Sequence, residues 1–269
     1  MFGKLLKHEL RSYLRVLLPV ELILIGIALI GRLVQLFESD SLIYSFMLTS
    51  ALLAFFAAWI ISTILIAILC VVRFYKNLFT GEGYLTFTLP VTTGQHLWVK
   101  IIGATAAGVI SMVATLISLF IICDTELLIE IFKVVIYLSK LAMDYIGINY
   151  IFFIIEIVIS LFISGISQNL LIYACIAIGQ TARKHRILWA IGVYFIHYLI
   201  TQTISVAFQF ISSVLSITGI FERFADFITK YYMEFTHCML TFSSLIQLAI
   251  CGVYFIITYF IIHKKLNLE

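Results

Sequence analysis

At 269 residues, 63% of them hydrophobic and only 12% charged, with a mean hydropathy of +1.14, this chain lies far from a water-soluble domain, in which about a quarter of residues carry charge. No connection between its apolar runs exceeds about 25 residues, too few for an independent globular core, so a large extramembrane domain is excluded. The net charge of +3 does not point to nucleic acid, because the basic residues are spread along the chain rather than gathered into one patch.

The chain opens on an amphipathic segment. Phe2, Leu5, Leu6, Leu10, Tyr13, Leu14 and Leu17 recur at helical spacing, while Lys4, Lys7, His8, Arg11, Ser12 and Arg15 fill the other face. This predicts an amphipathic elbow helix over residues 1–16, lying in the interface with its cations toward anionic headgroups and turning into the bilayer near Pro19. A straight extension of the first span is the alternative. Six apolar runs follow: Leu17 to Phe37, Ser45 to Val72, Leu97 to Cys123, Tyr150 to Gln180, Ile187 to Ser213 and Met239 to His263. Each reaches the roughly 20 residues a helix needs to cross ~30 Å of hydrocarbon. The first is too long for a signal peptide and lacks a small-residue cleavage site, so it reads as a retained span. The predicted fold is an all-α integral membrane protein with six transmembrane helices in a single domain over residues 1–269.

Two polar-faced segments interrupt the apolar runs on one side. Glu126, Glu130, Lys133, Lys140 and Asp144 repeat at helical steps within residues 125–145, and Glu222, Asp226, Lys230 and Glu234 do the same within residues 218–237. Both read as outer amphipathic helices, interfacial or re-entrant. On the other side, residues 73–95 (RFYKNLFTGEGYLTFTLPVTTGQ) carry Gly81, Gly83 and Pro90. They predict a short helix before the glycines, an extended Tyr84 to Leu89 and a turn at Pro90. Aromatic residues with little charge outside the lipid core imply burial, against a partner protein or against the helix ends.

The basic residues are distributed by side. Lys4, Lys7, Arg11, Arg15, Arg73, Lys76, Lys100, Arg183, Lys184, Arg186, Lys264 and Lys265 fall on one side, twelve of the seventeen in the chain. The positive-inside rule then puts both termini in the cytoplasm, and an even number of spans agrees, since it places the two termini on one side.

Chemistry-bearing residues inside the spans are few. Glu21 and Glu156 are acids placed within apolar runs, where burial is expensive and an ionisable group is a functional candidate. Each also lies near enough to a span end to be satisfied by the interface or a polar neighbour. Slanting polar stripes run through Ser160, Ser164 and Gln168, through His197, Thr201, Ser205 and Gln209, and through Ser243, Gln247, Cys251 and Tyr254. They fit a substrate path or interhelical hydrogen bonding. Gly103, Ala104, Ala107 and Gly108 form a small-residue surface for close helix packing or a dimer contact. Cys70, Cys123, Cys175, Cys238 and Cys251 make no CxxC and no zinc-ligand spacing. Cys123 and Cys238 could pair, but five small apolar membrane residues is the favoured reading. No metal site and no catalytic residue is predicted, and phosphate-loop, GxSxG and HExxH motifs are all missing.

The opening MFGKLLKHELRSYLRVLLPV, the loop FYKNLFTGEGYLTFTLPV followed by Lys100, the cytoplasmic GQTARKHR and the closing KKLNLE resemble the ABC-2 type permease subunits of Gram-positive bacterial ABC transporters. The resemblance covers essentially the whole chain, most specifically through the loop. It implies an exporter permease in the bacterial plasma membrane, an elbow helix before six spans, and a face-to-face second permease copy or related permease. It also implies a separate ABC ATP-binding subunit that binds ATP and Mg, the permease holding no cofactor itself. Residues 73–95 would be the ATPase-coupling loop, with Tyr75, Phe79, Glu82, Tyr84, Phe87 and Pro90 as its contact residues. Antimicrobial peptides, drugs and lipid-like amphiphiles are the implied cargo classes. Glu21 and Glu156 match no family motif. A non-transporting membrane sensor or scaffold and a proton-coupled carrier are the other function classes the sequence allows.

Overall fold

The computed structural model describes residues 2–37, 39–80, 83, 88, 91–146, 149–182, 184–217 and 232–264, and no strand occurs among them. Among the described residues seven long helices run in order: α1 (Phe2–Gln35), α2 (Leu42–Phe79), α3 (Thr93–Ile122), α4 (Thr125–Ile146), α5 (Asn149–Gly179), α6 (Arg186–Ile217) and α7 (Tyr232–Lys264). All but α4 are long and apolar enough to cross a membrane. In the most apolar stretch of α6 no residue is buried, and in that of α5 only 6% are. Side chains such as Phe152, Phe162, Phe208 and Phe210 point outward. Such surfaces are stable against hydrocarbon and not against water, so this is a multi-pass membrane protein.

The chain divides into two compact units, Met1–Tyr145 and Ile146–Glu269. In the first, α1 packs against both α3 and α2. Its buried residues are Glu9, Tyr13, Leu17, Glu21, Leu24, Ala28 and Gly31. Steps of three and four keep them on one stripe of a helix with 3.6 residues per turn. Leu24, Ala28, Phe55 and Ile122 form the apolar centre of the unit. Contacts at the start, middle and end of α1 meet the start, middle and end of α3, so these two helices run parallel, with α2 antiparallel.

Glycine allows the close approach at both ends of the α1–α3 seam. A Cβ on Gly103 would meet Glu9 Cγ at 3.0 Å and Tyr13 at 3.2 Å, and one on Gly31 would meet Ile122 at 3.0 Å. The small-residue surface predicted on α3 is thus used within the chain: Gly103, Ala104 and Ala107 are buried, whereas Gly108 has nothing within 4 Å of its would-be Cβ.

The N-terminal segment departs from expectation. Residues 1–16 do not form a separate elbow, because α1 continues from Phe2 through Pro19 to Gln35 without interruption. Its amphipathic character is as predicted, with Lys4, Lys7, His8, Arg11 and Arg15 exposed and Glu9 and Tyr13 buried. A proline inside a helix costs about 3 kcal/mol. The continuous packed stripe on either side of Pro19 offsets that cost and keeps the helix going.

Residues 73–79 likewise are not a separate short helix but the end of α2, whose 38 residues span about 57 Å at 1.5 Å per residue and so outreach a bilayer core. The connection proper starts at Thr80. After it, α3 opens on a capping box in which the Thr92 and Gln95 side chains each accept from the other's backbone N–H, satisfying two otherwise orphaned donors. At the far end of the seam, Gln35 Nε2 donates to Ile122 O at 2.8 Å and Arg32 Nη1 to Cys123 O at 3.4 Å. These contacts cap carbonyls that the end of α3 leaves open.

The amphipathic segment at 125–145 is helix α4, as predicted, and is not among the candidate spans. Of the second such segment, residues 218–231 lie outside the described residues. Glu234 and His237 belong to α7 itself. All five cysteines are free thiols.

In the second unit α5 packs against α7 and α6. Its C-terminal half is the buried part: Leu170, Leu171, Tyr173, Ala174, Cys175, Ile176 and Ala177. The α5–α6 turn is tight, with His185 at φ 55° just before α6. A Cβ on Gly179 would lie 2.7 Å from Ala190 Cβ and 2.8 Å from both Ala190 N and Arg186 O. Backbone atoms cannot swing aside as a side chain can. Gly179→Ala should therefore force the turn open and lower stability by about 1–3 kcal/mol, the usual cost of overpacking. Gly108→Ala, facing open space in mid-helix, should not lower it and should raise it by up to about 1 kcal/mol. Thermal unfolding of the two variants in detergent micelles checks this; equal melting temperatures would contradict the close turn.

Candidate functional site: an ionic junction between the helix ends

The end of α2, the start of α3 and the start of α1 meet at one buried carboxylate. Glu9 is 5% exposed. Lys100 Nζ donates to its Oε1 at 2.9 Å and its Oε2 at 2.8 Å. Arg73 approaches the same carboxylate side-on, Nε to Oε1 at 3.2 Å and Nη2 to Oε2 at 3.2 Å. Arg73 Nη1 also donates to Ser12 Oγ, and the guanidinium carbon stacks 4.7 Å above the centre of the Tyr13 ring. Each residue reaches this point from a different helix: Glu9, Ser12 and Tyr13 from α1, Arg73 from α2 and Lys100 from α3.

Burying an ion costs several kcal/mol, recovered only when counter-charges sit in good geometry and the remaining lone pairs are filled. Both oxygens of Glu9 are filled here. A fork-shaped guanidinium and a point-like ammonium suit this division, because the fork fixes orientation while the ammonium bridges the two oxygens. Two cations against one carboxylate leave one positive charge, spread partly over the Tyr13 ring face. Chemically the arrangement is a clamp.

The clamp borders the 80–92 connection, since Arg73 lies two turns before the end of α2 and Lys100 two turns into α3. Phe74, Leu78 and Phe79 are buried beside it. Phe79 meets Phe74 edge-on at 5.8 Å and Tyr75 at 6.4 Å between ring centres. Of the predicted loop residues, Tyr75 and Phe79 are therefore on the last two turns of α2. Glu82, Tyr84, Phe87 and Pro90 lie outside the described residues.

The intramembrane acids have partners. Glu21, 3% exposed, accepts at Oε1 from Ser62 Oγ at 3.1 Å and Ser111 Oγ at 2.7 Å, while its Oε2 is buried without a hydrogen-bond partner. Glu156 Oε2 lies 2.7 Å from His237 Nδ1, and the imidazole stands edge-on to Phe153 at 5.6 Å. Of the polar stripes, Ser160 bonds Ser244 at 2.7 Å and His197 Nε2 bonds Tyr254 Oη at 2.6 Å, both between helices. Thr201 bonds the backbone of its own helix. Gln168 and Ser205 are exposed, and Ser164 and Gln247 are half-buried. A groove of about 530 Å³ between α5 and α7 is lined by Phe152, Glu156, His237, Thr241 and Ser244 together with aliphatic residues, and by none of Ser160, Ser164, Gln168, His197, Thr201, Ser205 or Gln247.

Glu9 is absent from the sequence expectations. Surrounded by Lys7, His8 and Arg11 it reads as one more charge on a wet face. The available signal was its register: residues 9, 13, 17 and 21 share one stripe, and Tyr13 and Leu17 on that stripe were assigned to the apolar side.

The sequence matches no protein-family model, and comparison with curated proteins and with solved structures finds no match either.

The three charges are not equivalent. Glu9→Gln leaves two buried cations facing each other and should cost about 3–5 kcal/mol, the penalty for breaking a buried ion pair. Lys100→Met leaves the Arg73 fork in place on Glu9 and should cost about 1.5–3 kcal/mol, the worth of hydrogen bonds to a charged group. Unfolding of both variants in the same detergent ranks them; a Lys100→Met variant less stable than Glu9→Gln would refute the carboxylate-centred geometry.

Proposed function

We propose that this chain is the membrane-spanning subunit of an ATP-driven exporter of the ABC-2 permease type. Six spans fit a membrane transport protein, and the N-terminal, loop and C-terminal sequences support the finer reading. The single observation that carries it furthest is the ionic junction. A coupling loop is useful only if a push on it reaches the transmembrane bundle, and the 80–92 connection is flanked by helix ends tied to α1 through Glu9, Arg73 and Lys100. The helix so tied packs along both neighbours. Movement imposed at the loop would be passed to the first unit as a whole.

On this reading a separate subunit binds ATP and Mg and hydrolyses the nucleotide, and a second permease copy or related permease completes the membrane assembly. Lipids surround it, and nucleic acid has no part. Both termini and the 80–92 connection face the bacterial cytoplasm. Nucleotide-driven closure of the ATPases would switch the bundle between inward-open and outward-open states. Amphiphilic cargo, such as antimicrobial peptides, drugs or lipids, is the class the reading favours.

Orientation is checked with single cysteines in a cysteine-free background. Positions Lys184 and Glu82 should be shielded from impermeant thiol reagents in intact cells, and Asp226 should label. Labelling of position 184 from outside would remove the loop from the cytoplasm and with it the ATPase.

Docking is checked separately. The purified chain should hydrolyse no ATP alone and should co-purify with a co-expressed ABC ATPase. Phe87→Ala with Glu82→Lys should weaken that association about tenfold or more, since truncating an interface anchor commonly costs ~1–4 kcal/mol. Undiminished co-purification and undiminished substrate-stimulated turnover in the double variant would sink the coupling assignment. Stable association without transport would favour the sensor class instead.

A further inference from the structure

We propose that Glu21, Ser62 and Ser111 form a binding site for one alkali-metal ion inside the first unit. The inference is independent of what powers transport. It starts from a contrast along one helix stripe. Glu9 is buried with two cations on its oxygens. Twelve residues later, about 18 Å along the same helix, Glu21 is buried at 3% exposure with two hydroxyls and, among the described residues, no cation in ion-pair contact.

Hydroxyl donors supply dipoles and no net charge, so a carboxylate here keeps most of its desolvation cost. The geometry also leaves Oε2 buried with nothing to bond. An orphaned buried oxygen of this kind calls for an unseen partner. The charge to be matched is one unit, which selects a monovalent over a divalent ion. The available atoms are all oxygens: two from Glu21 on α1, one from Ser62 on α2 and one from Ser111 on α3. An all-oxygen set without thiolate or imidazole favours hard cations over transition metals. Each serine hydroxyl can rotate from donating into the carboxylate to presenting its lone pairs to an ion. Because the ligands come from three helices, occupancy is coupled to how α1, α2 and α3 pack.

The test uses the purified full-length chain in detergent micelles at fixed ionic strength. Melting temperature is followed as choline is replaced by Na⁺, Li⁺ or K⁺, and separately as pH is varied in choline alone. An alkali ion at about 100 times its Kd shifts the folding equilibrium about 100-fold, a rise in melting temperature on the order of 5 °C. Glu21→Gln should abolish the response, and Ser111→Ala should raise the apparent Kd several-fold. A response selective among alkali ions identifies a metal ion. Choline and the alkali ions proving indistinguishable in wild type would overturn the proposal, even where pH alone shifts the melting temperature, because protonating a carboxyl needs no built site. Wild type and Glu21→Gln responding alike to every alkali ion would also overturn it. Should Glu21→Gln fail to fold, Ser62→Ala, Ser111→Ala and the double variant decide it, since unchanged alkali-ion responses in all three would equally overturn the site.

Discussion

A buried carboxylate is cheapest among membrane helices where counter-charges are brought to it, and at Glu9 two such charges tie the register of three helices at once. Lys100 must arrive at one level of α3 and Arg73 at one level of α2, because both reach the same pair of oxygens. The rest of the first unit keeps that register. Gly103, one turn after Lys100, has no side chain because Glu9 Cγ and the Tyr13 ring occupy the space. Three turns further Glu21 meets Ser62 and Ser111, then Leu24 and Ala28 meet Phe55 and Ile122, and at the end Gln35 reaches the last carbonyls of α3. Apolar packing in lipid is weakly directional, since the tails outside are as apolar as the side chains inside. Charge and hydrogen-bond pairing supply the missing specificity, spaced along α1 at its start, middle and end.

The six spans and the amphipathic α4 were legible in the sequence because hydropathy over about 20 residues and the 3.6-residue period are properties of a segment by itself. What was not legible depends on neighbours. Pro19 reads as a break until the continuous stripe from Glu9 to Gly31 is seen packed against two other helices. Residues 73–79 read as part of a loop because they are less apolar than the span before them, yet they prolong α2 and bury Phe74, Leu78 and Phe79. Glu9 was hidden by local composition. Glu21 and Glu156 stood out by position alone, while their partners Ser62, Ser111 and His237 lie 41 to 90 residues away in sequence, beyond any periodicity argument.

The second unit repeats the order of packing found in the first. In each, the leading helix contacts both other candidate spans, α1 with α3 and α2, α5 with α7 and α6. In each, an acid on the leading helix is held from the third: Glu21 by Ser111, Glu156 by His237. The chemistry differs. Imidazole can answer a carboxylate with either a hydrogen bond or a full charge, whereas a hydroxyl offers only the bond. The polar stripes of the second unit divide in the same spirit, with Ser160–Ser244 and His197–Tyr254 fastening helices and Thr201 folded back on its own backbone.

The two acids of α1 then divide labour by the company they keep. A carboxylate saturated by an ammonium and a guanidinium has one favourable geometry, and sliding any of the three helices breaks strong charge-assisted bonds. That end of the unit behaves as a rigid joint. A carboxylate held only by two serine hydroxyls on different helices, with one oxygen unfilled, has no such single minimum. Small changes in helix packing alter how many oxygens can gather around it, and a bound cation would alter the packing in return, since coupling between binding and conformation is reciprocal. Under the proposed coupling, a stiff joint at the loop end and a compliant polar centre further along the same helix would act as a lever, taking in displacement where the bonds do not yield and expressing it where they do.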